Sequence, residues 1–262
     1  VTGQDDDLFH TGAFQIFDYG QSIAAYAVGH ADKTADMVVI SHNDHRVPGI
    51  FKSFGLRVHR LAANNIWWDE AWGVVLSRMP LLESLQRTAT DEHPPLYYWT
   101  LHFWTPLVGE SPFAVRALSV FAGTLTLAVL YRVGQRLGGV RVALLAALAL
   151  ALNRFHIVWS QEVKMYASAA LYSLLSFWFL LEWVKTNRRA ALLGYALAIL
   201  AAIHSHYIAL LVALAQGLGG LWWAIESARQ DGRSGWRPFI EWSALQAGLV
   251  LLLIPWGLYI AY

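Results

Sequence analysis

Apolar and polar positions divide this chain near residue 110. Beyond it, apolar segments recur at about the 20-residue length a bilayer requires, each closed by basic residues. Pro112 to Gly134 ends at Tyr131, Arg132 and Arg136; Val140 to Trp159 follows Arg141; Tyr166 to Val184 ends at Lys185, Arg188 and Arg189. The next apolar block, 190–225, would run roughly 54 Å as one helix against a hydrocarbon core of about 30 Å. It is therefore expected to be a hairpin, turning at its polar interruption His204-Ser205-His206-Tyr207. A last span, Ile240 to Tyr262, follows Arg229, Arg233 and Arg237.

Ahead of this series the pattern changes. Residues 1 to about 60 carry Asp5-Asp6-Asp7, scattered His and Gly, and no apolar run of spanning length. They read as a poorly specified segment with a short strand at Met37 to Ser41. Leu96 to Trp104 is too short to span before Pro106 and Gly109, and is expected to lie along the membrane interface. The fold class expected is all-α: a multi-pass transmembrane protein of about six spans, with interfacial helices in its first external loop.

Composition supports this. The chain is 56% hydrophobic and 14% charged, with a mean hydropathy of +0.40, and its thirteen tryptophans suit the headgroup boundary. No basic patch points to nucleic acid. With no cysteine, disulfides, thiolate catalysis and thiolate zinc sites are excluded. Charge position adds orientation. If the clusters 132/136/141, 185/188/189 and 229/233/237 are all cytoplasmic, the number of spans between successive clusters must be even, and it is two and two. The first acidic loop, the turn Ser160 to Lys164 and the turn His204 to Tyr207 then share the extracytoplasmic face.

Those three stretches carry the candidate chemistry. Trp67-Trp68-Asp69-Glu70-Ala71-Trp72 places two acids among indoles. Adjacent on a helix, they point about 100° apart, so one of the two is the functional group, suited as a general base where partial desolvation raises its pKa. A solvated loop acid beside an aromatic belt is the plainer account. Asp91-Glu92-His93-Pro94-Pro95 has the form of a helix start, its acids facing the helix dipole, and Glu92 with His93 supplies half of a metal or phosphate site. Glu162 and Lys164, two residues apart, cannot pair on one helical face and are each left to meet another group, unless they are snorkelling end charges. Arg116, in the first turns of its span, must find a carboxylate or a phosphate. His204 and His206 read as ordinary turn residues.

Five blocks in order carry a family resemblance: Trp67 to Trp72, His93 to Tyr98, Glu110 to Arg116, Phe155 to Ala167, and His206-Tyr207. Over about residues 57 to 262 the chain resembles the integral-membrane GT-C glycosyltransferases of the protein O-mannosyltransferase and aminoarabinose-transferase kind. The resemblance implies transfer of a sugar from a polyprenyl-phosphate donor to a glycan, lipid or protein acceptor, outside the cell membrane and with inversion. It implies Asp69 as the base and Glu162 as the acid of the second loop. His93, Arg116 and Lys164 become the expected donor-phosphate ligands, and Glu92 with His206 the ligands of a divalent metal. The organisation expected is a segment over residues 1–56 foreign to the family, then a partial GT-C domain over 57–262. A transporter, or a non-catalytic subunit that binds the lipid carrier, is the competing reading.

Overall fold

The computed structural model describes residues 48–91, 93–230 and 236–261. The strand expected at Met37 to Ser41 lies outside them. The chain divides into two units between residues 51 and 52, and the fold is that of the second, Lys52–Tyr262. The first described helix, α1 (Pro48–Val58), contains the 56/57 position at which the sequence pattern placed a domain boundary.

Three short helices build the loop after α1: α2 (Trp68–Arg78), α3 (Leu81–Ala89) and α4 (Leu96–Val108). Each starts or stops for a local reason. Glu70 reaches back to the Trp67 N–H at the start of α2 (3.4 Å), Pro80 and Pro95 precede α3 and α4, and α4 stops at Gly109, whose φ of 90° lies in the left-handed region. The loop encloses a small core: Val74 and Leu76 of α2 and Tyr97, Tyr98 and Leu101 of α4 pack on Val115, Val163 and Met165. Its outer side keeps large apolar groups exposed, with Trp68 83%, Leu82 66% and Phe103 61% accessible, which suits helices lying in a membrane interface.

The spans begin with α5 (Pro112–Leu152), capped by Ser111, whose hydroxyl accepts from the Ala114 N–H at 3.2 Å. Its 41 residues are not one rod. Gly139, at φ 78°, interrupts the helix, and Ala143 returns so closely to Gly134 that a Cβ on the glycine would lie 2.7 Å from the Ala143 Cα. Helix α5 is therefore a hairpin, with arms before and after Gly139. The second arm differs from the expected span Val140 to Trp159: it breaks after Leu152, because Asn153 leaves helical geometry and its side chain caps a separate helix, α6 (Arg154–Ser160), through the His156 N–H (2.9 Å).

Helices α7 (Tyr166–Thr186), α8 (Arg189–Ser205), α9 (Ala209–Gln230) and α10 (Trp236–Ala261) complete the order. The hairpin expected within 190–225 is α8 and α9, turning at His206 to Ile208. Four described helices are long and apolar enough to cross a membrane, and α8 is a shorter apolar helix beside them. Their core is aromatic: Trp183 of α7 stacks on Trp242 of α10 at 5.0 Å, and the Trp242 indole donates to the Gly217 carbonyl of α9 at 3.1 Å. Ion pairs of Arg136 with Glu182, and of Arg189 and Arg237 with Glu241, tie the arms together at their basic ends. Over the described residues the fold is all-α, that of a multi-pass membrane protein.

Candidate functional site

The two adjacent acids of α2 have opposite environments. Glu70 is fully buried, whereas the Asp69 side chain is half exposed. The step of about 100° between neighbours on a helix turns one into the loop core and leaves the other at its rim.

Glu70 meets Arg116. The guanidinium donates through Nε to Oε1 (2.8 Å) and through Nη2 to Oε2 (2.6 Å), a two-pronged charge-assisted pair. Its remaining N–H groups go to the carbonyls of Leu61 (2.8 Å), Asn64 (2.9 Å) and Asn65 (3.1 Å). All five guanidinium donors are thus engaged with protein. Arg116 was expected among the donor-phosphate ligands. The structure gives it the other partner its burial allowed, a carboxylate, and leaves no N–H for phosphate. Glu70 also accepts from the Val163 N–H at 3.0 Å, so the pair joins α2, the start of α5, the 61–65 segment and the second loop.

Asp69 meets Lys164. Lys164 is nearly buried, and its Nζ lies 3.0 Å from Asp69 Oδ2. Glu162 stands between these two contacts. Burial above all, then the Glu70 carboxylate, holds it above the ordinary carboxylate range, against the pull of Lys164 and Arg116 and with a smaller push from Asp69. Its Oε2 is buried without a hydrogen-bond partner. Asp69 and the sequence-distant pair Glu162 and Lys164 thus form one cluster.

A second group lies beside the first. Rings of His93 and His206 meet edge to face at 5.4 Å, and Tyr166 lies 5.5 Å from His206 and 4.3 Å from Trp159. Burial and then the neighbouring His93 hold His206 below its ordinary pKa, favouring neutral imidazole. Asp91, read from sequence as a helix-dipole partner, instead accepts from the Trp72 indole at 3.2 Å. It sits close enough to Tyr98 that, after burial, its charge helps push that phenol up, with Asp69 and Tyr166 contributing too. Tyr98 therefore lies between the two groups. Glu92 falls outside the described residues. Among the described residues no three acid or imidazole side chains are grouped to hold a metal.

Sequence reasoning missed Gln161 and Arg57. Arg57 is fully buried; it donates to the Ser53 carbonyl (3.1 Å), to the Ser53 hydroxyl and to His156 Nδ1 (2.8 Å). Gln161 Nε2 serves the carbonyls of Arg57 (3.0 Å), His59 (3.0 Å) and Leu56 (3.5 Å), at and just beyond the end of α1, where carbonyls run short of helical donors. The partners are far apart in sequence, so no local pattern announces them.

The fold is similar to a solved structure of the Saccharomyces cerevisiae protein O-mannosyltransferase Pmt1-Pmt2 complex bound to the sugar donor, with a TM-score of 0.57 and 16% identity. The match covers 88% of this chain and 35% of that one, so the present chain spans about a third of its structural relative. No curated protein matches. A family model for dolichyl-phosphate-mannose-protein mannosyltransferases matches residues 92–258, a range that holds Glu162, Lys164 and both site histidines but not Asp69. With most of its length inside that match, the chain belongs to the dolichyl-phosphate-mannose-protein mannosyltransferase family.

Proposed function

We propose that the chain transfers a sugar from a polyprenyl-phosphate donor to a hydroxyl acceptor at the outer membrane face, with inversion, and that Asp69 is the base. The observation that carries this is the cluster at the rim of α2: a half-exposed carboxylate, the buried Lys164 ammonium 3.0 Å from it, and Glu162 with an unpartnered buried oxygen.

Asp69 takes the proton of the acceptor hydroxyl as its oxygen attacks the anomeric carbon. The bond from that carbon to the phosphate oxygen breaks, and the phosphate leaves with the electron pair. Attack opposite the leaving group inverts the centre. Lys164, as an ammonium, and His93, as an imidazole N–H donor, are the groups assigned to the leaving phosphate, where stabilising developing charge lowers the barrier most. Lys164 pairs with Asp69 at rest, so donor binding redistributes that contact. Arg116 instead supports the frame that holds Asp69 and the second loop. Support for the outside orientation comes from the basic residues, which gather at the α5 turn, between α7 and α8 and between α9 and α10, while the site lies at the other ends of these arms.

A transporter would need ionisable groups along a path through the spans. Here Arg136 with Glu182 and Arg189 with Glu241 pair at span ends, and the buried Gln216 and Ser176 bond to each other at 2.9 Å.

The test is transfer from a radiolabelled polyprenyl-phosphate sugar by the chain in membranes. Asp69→Asn should lower the rate by about 10²- to 10⁴-fold, the range of a general base, while membrane insertion is retained. An unchanged rate would refute the assignment.

A further inference from the structure

Glu162 and Lys164 can act with Asp69 only if the second loop is held against the first. That loop, 161–164, has no helix of its own and no internal ladder; the Lys164 N–H bonds only as far as the Glu162 carbonyl (2.8 Å). Its attachments are to distant residues. Val163 N–H binds Glu70, the Lys164 ammonium binds Asp69, the Ser119 hydroxyl of the first span donates to the Lys164 carbonyl (3.2 Å), and the Gln161 carboxamide binds the carbonyls of Leu56, Arg57 and His59.

Of these four attachments, two are made by the adjacent acids of α2 and one by Ser119 at the far end of the loop. The fourth, at Gln161, is independent of the acids and holds the start of the loop. Gln161 grips the C-terminal end of α1, and the same helix end is fixed a second time, because Arg57 donates to His156 in the helix just before Gln161. A guanidinium can only donate, so His156 Nδ1 accepts and the imidazole is neutral. Helix α6 in turn is seated on the first arm of α5, where the Ser160 side chain lies against Gly123: a Cβ there would come 2.8 Å from Ser160 Cβ and closer still to its hydroxyl.

We infer that Gln161 is a positioning residue: by capping α1 it sets the height of the Glu162–Lys164 loop over Asp69. The inference rests on the proposed role of Asp69, and it concerns a side chain to which that proposal gives no contact with donor or acceptor. Gln161→Leu keeps the size of the side chain and removes the donor. The 56, 57 and 59 carbonyls then turn to water, and the loop keeps only the contacts made by Val163 and Lys164. A misplacement of the order of 1 Å at a reacting group can cost about 100-fold in rate.

Because the chain has no cysteine, the loop can be watched directly. Val163, 1% exposed, is replaced by cysteine, and its alkylation by N-ethylmaleimide is timed with and without Gln161→Leu. Leu101→Cys, at a fully buried position of α4, reports on unfolding of the loop core as a whole. The inference expects alkylation at 163 to speed up by about tenfold or more, as for a local opening, with 101 unaffected. It also expects kcat for sugar transfer to fall by about 10- to 100-fold, with acceptor KM within about threefold. Unchanged alkylation at 163 overturns it whether or not the chain shows transfer. So does equal acceleration at 163 and 101, which marks general unfolding, or local acceleration with kcat unchanged. Absence of transfer by the unsubstituted chain would refute the enzyme reading, while the alkylation pair would still decide the clamp.

Discussion

Removing the charge of Glu70 should destabilise the protein more than any change at Asp69. In Glu70→Gln the shape is nearly kept, but Arg116 becomes a buried cation with no counterion among the groups it now contacts, and the bonds to Glu70 at 2.8 and 2.6 Å lose their ionic character. Breaking one side of a buried ion pair costs about 3–5 kcal/mol, because the surviving charge stays desolvated. For a domain of this size each kcal/mol corresponds to roughly 2–4 °C, so a fall in Tm of about 6–20 °C is expected. Thirteen tryptophans make the transition visible by intrinsic fluorescence in detergent. Pairing Glu70→Gln with Arg116→Met removes both charges and should recover part of the loss, since an apolar pair of similar volume is tolerated where a lone ion is not. Recovery stays partial because Leu61, Asn64 and Asn65 lose the donor to their carbonyls. A Tm change below about 2 °C for Glu70→Gln, with donor affinity lost on Arg116→Lys, would refute the structural role and return Arg116 to the phosphate.

Two further outcomes are expected from the same geometry. Gly123→Ala puts a methyl group into the Ser160 side chain and should lower Tm while raising N-ethylmaleimide access at Val163→Cys, whereas the same change at Gly219, which faces open space, should do neither. Glu162→Gln should raise Tm at neutral pH: the folded state holds the Glu162 proton more tightly than the unfolded chain, so the charged form is a liability that appears as pH rises above the ordinary carboxylate value of 4.5. The difference from the unsubstituted protein should shrink toward zero below that pH, and a constant difference from about pH 4 to 8 would contradict the assigned burial.

The spans were legible because length and composition decide them: α7, α9 and α10 need only an apolar run of bilayer thickness and basic ends. The break after Leu152 was not, because apolarity continues through Phe155 to Trp159 and the interruption rests on one side chain, Asn153, capping one N–H. The Asp69-Glu70 pair, Glu162 and Lys164 could be singled out from residue type and from the parity of spans between basic clusters, while the choice of Asp69 over Glu70 came from the family resemblance. Their partners could not. Arg116 announced that it needed an anion, but burial alone does not choose between a carboxylate 46 residues earlier and a phosphate from outside. Asp91 was misread for a similar reason: the helix-start pattern is local, while its indole partner is on another helix.

What connects these cases is the segment between α1 and α2, which has no regular structure and leads into the helix that carries Asp69. A loop without a ladder needs other donors for its carbonyls. Here two side chains supply them: Gln161 takes the carbonyl of 59 along with those of 56 and 57 at the end of α1, and Arg116 takes those of 61, 64 and 65. One comes from the second loop and one from the first span, so the segment is held by the same two elements that bond to Glu70 of α2. The unpaired donors of a long polar side chain and the unpaired acceptors of a loop satisfy each other, and the position of the carboxylate results from that match. It also explains why Glu70 and Arg116 carry charge in a buried place. A neutral pair could fill the volume, but only a guanidinium has enough donors to bind a carboxylate with two and three carbonyls with the rest.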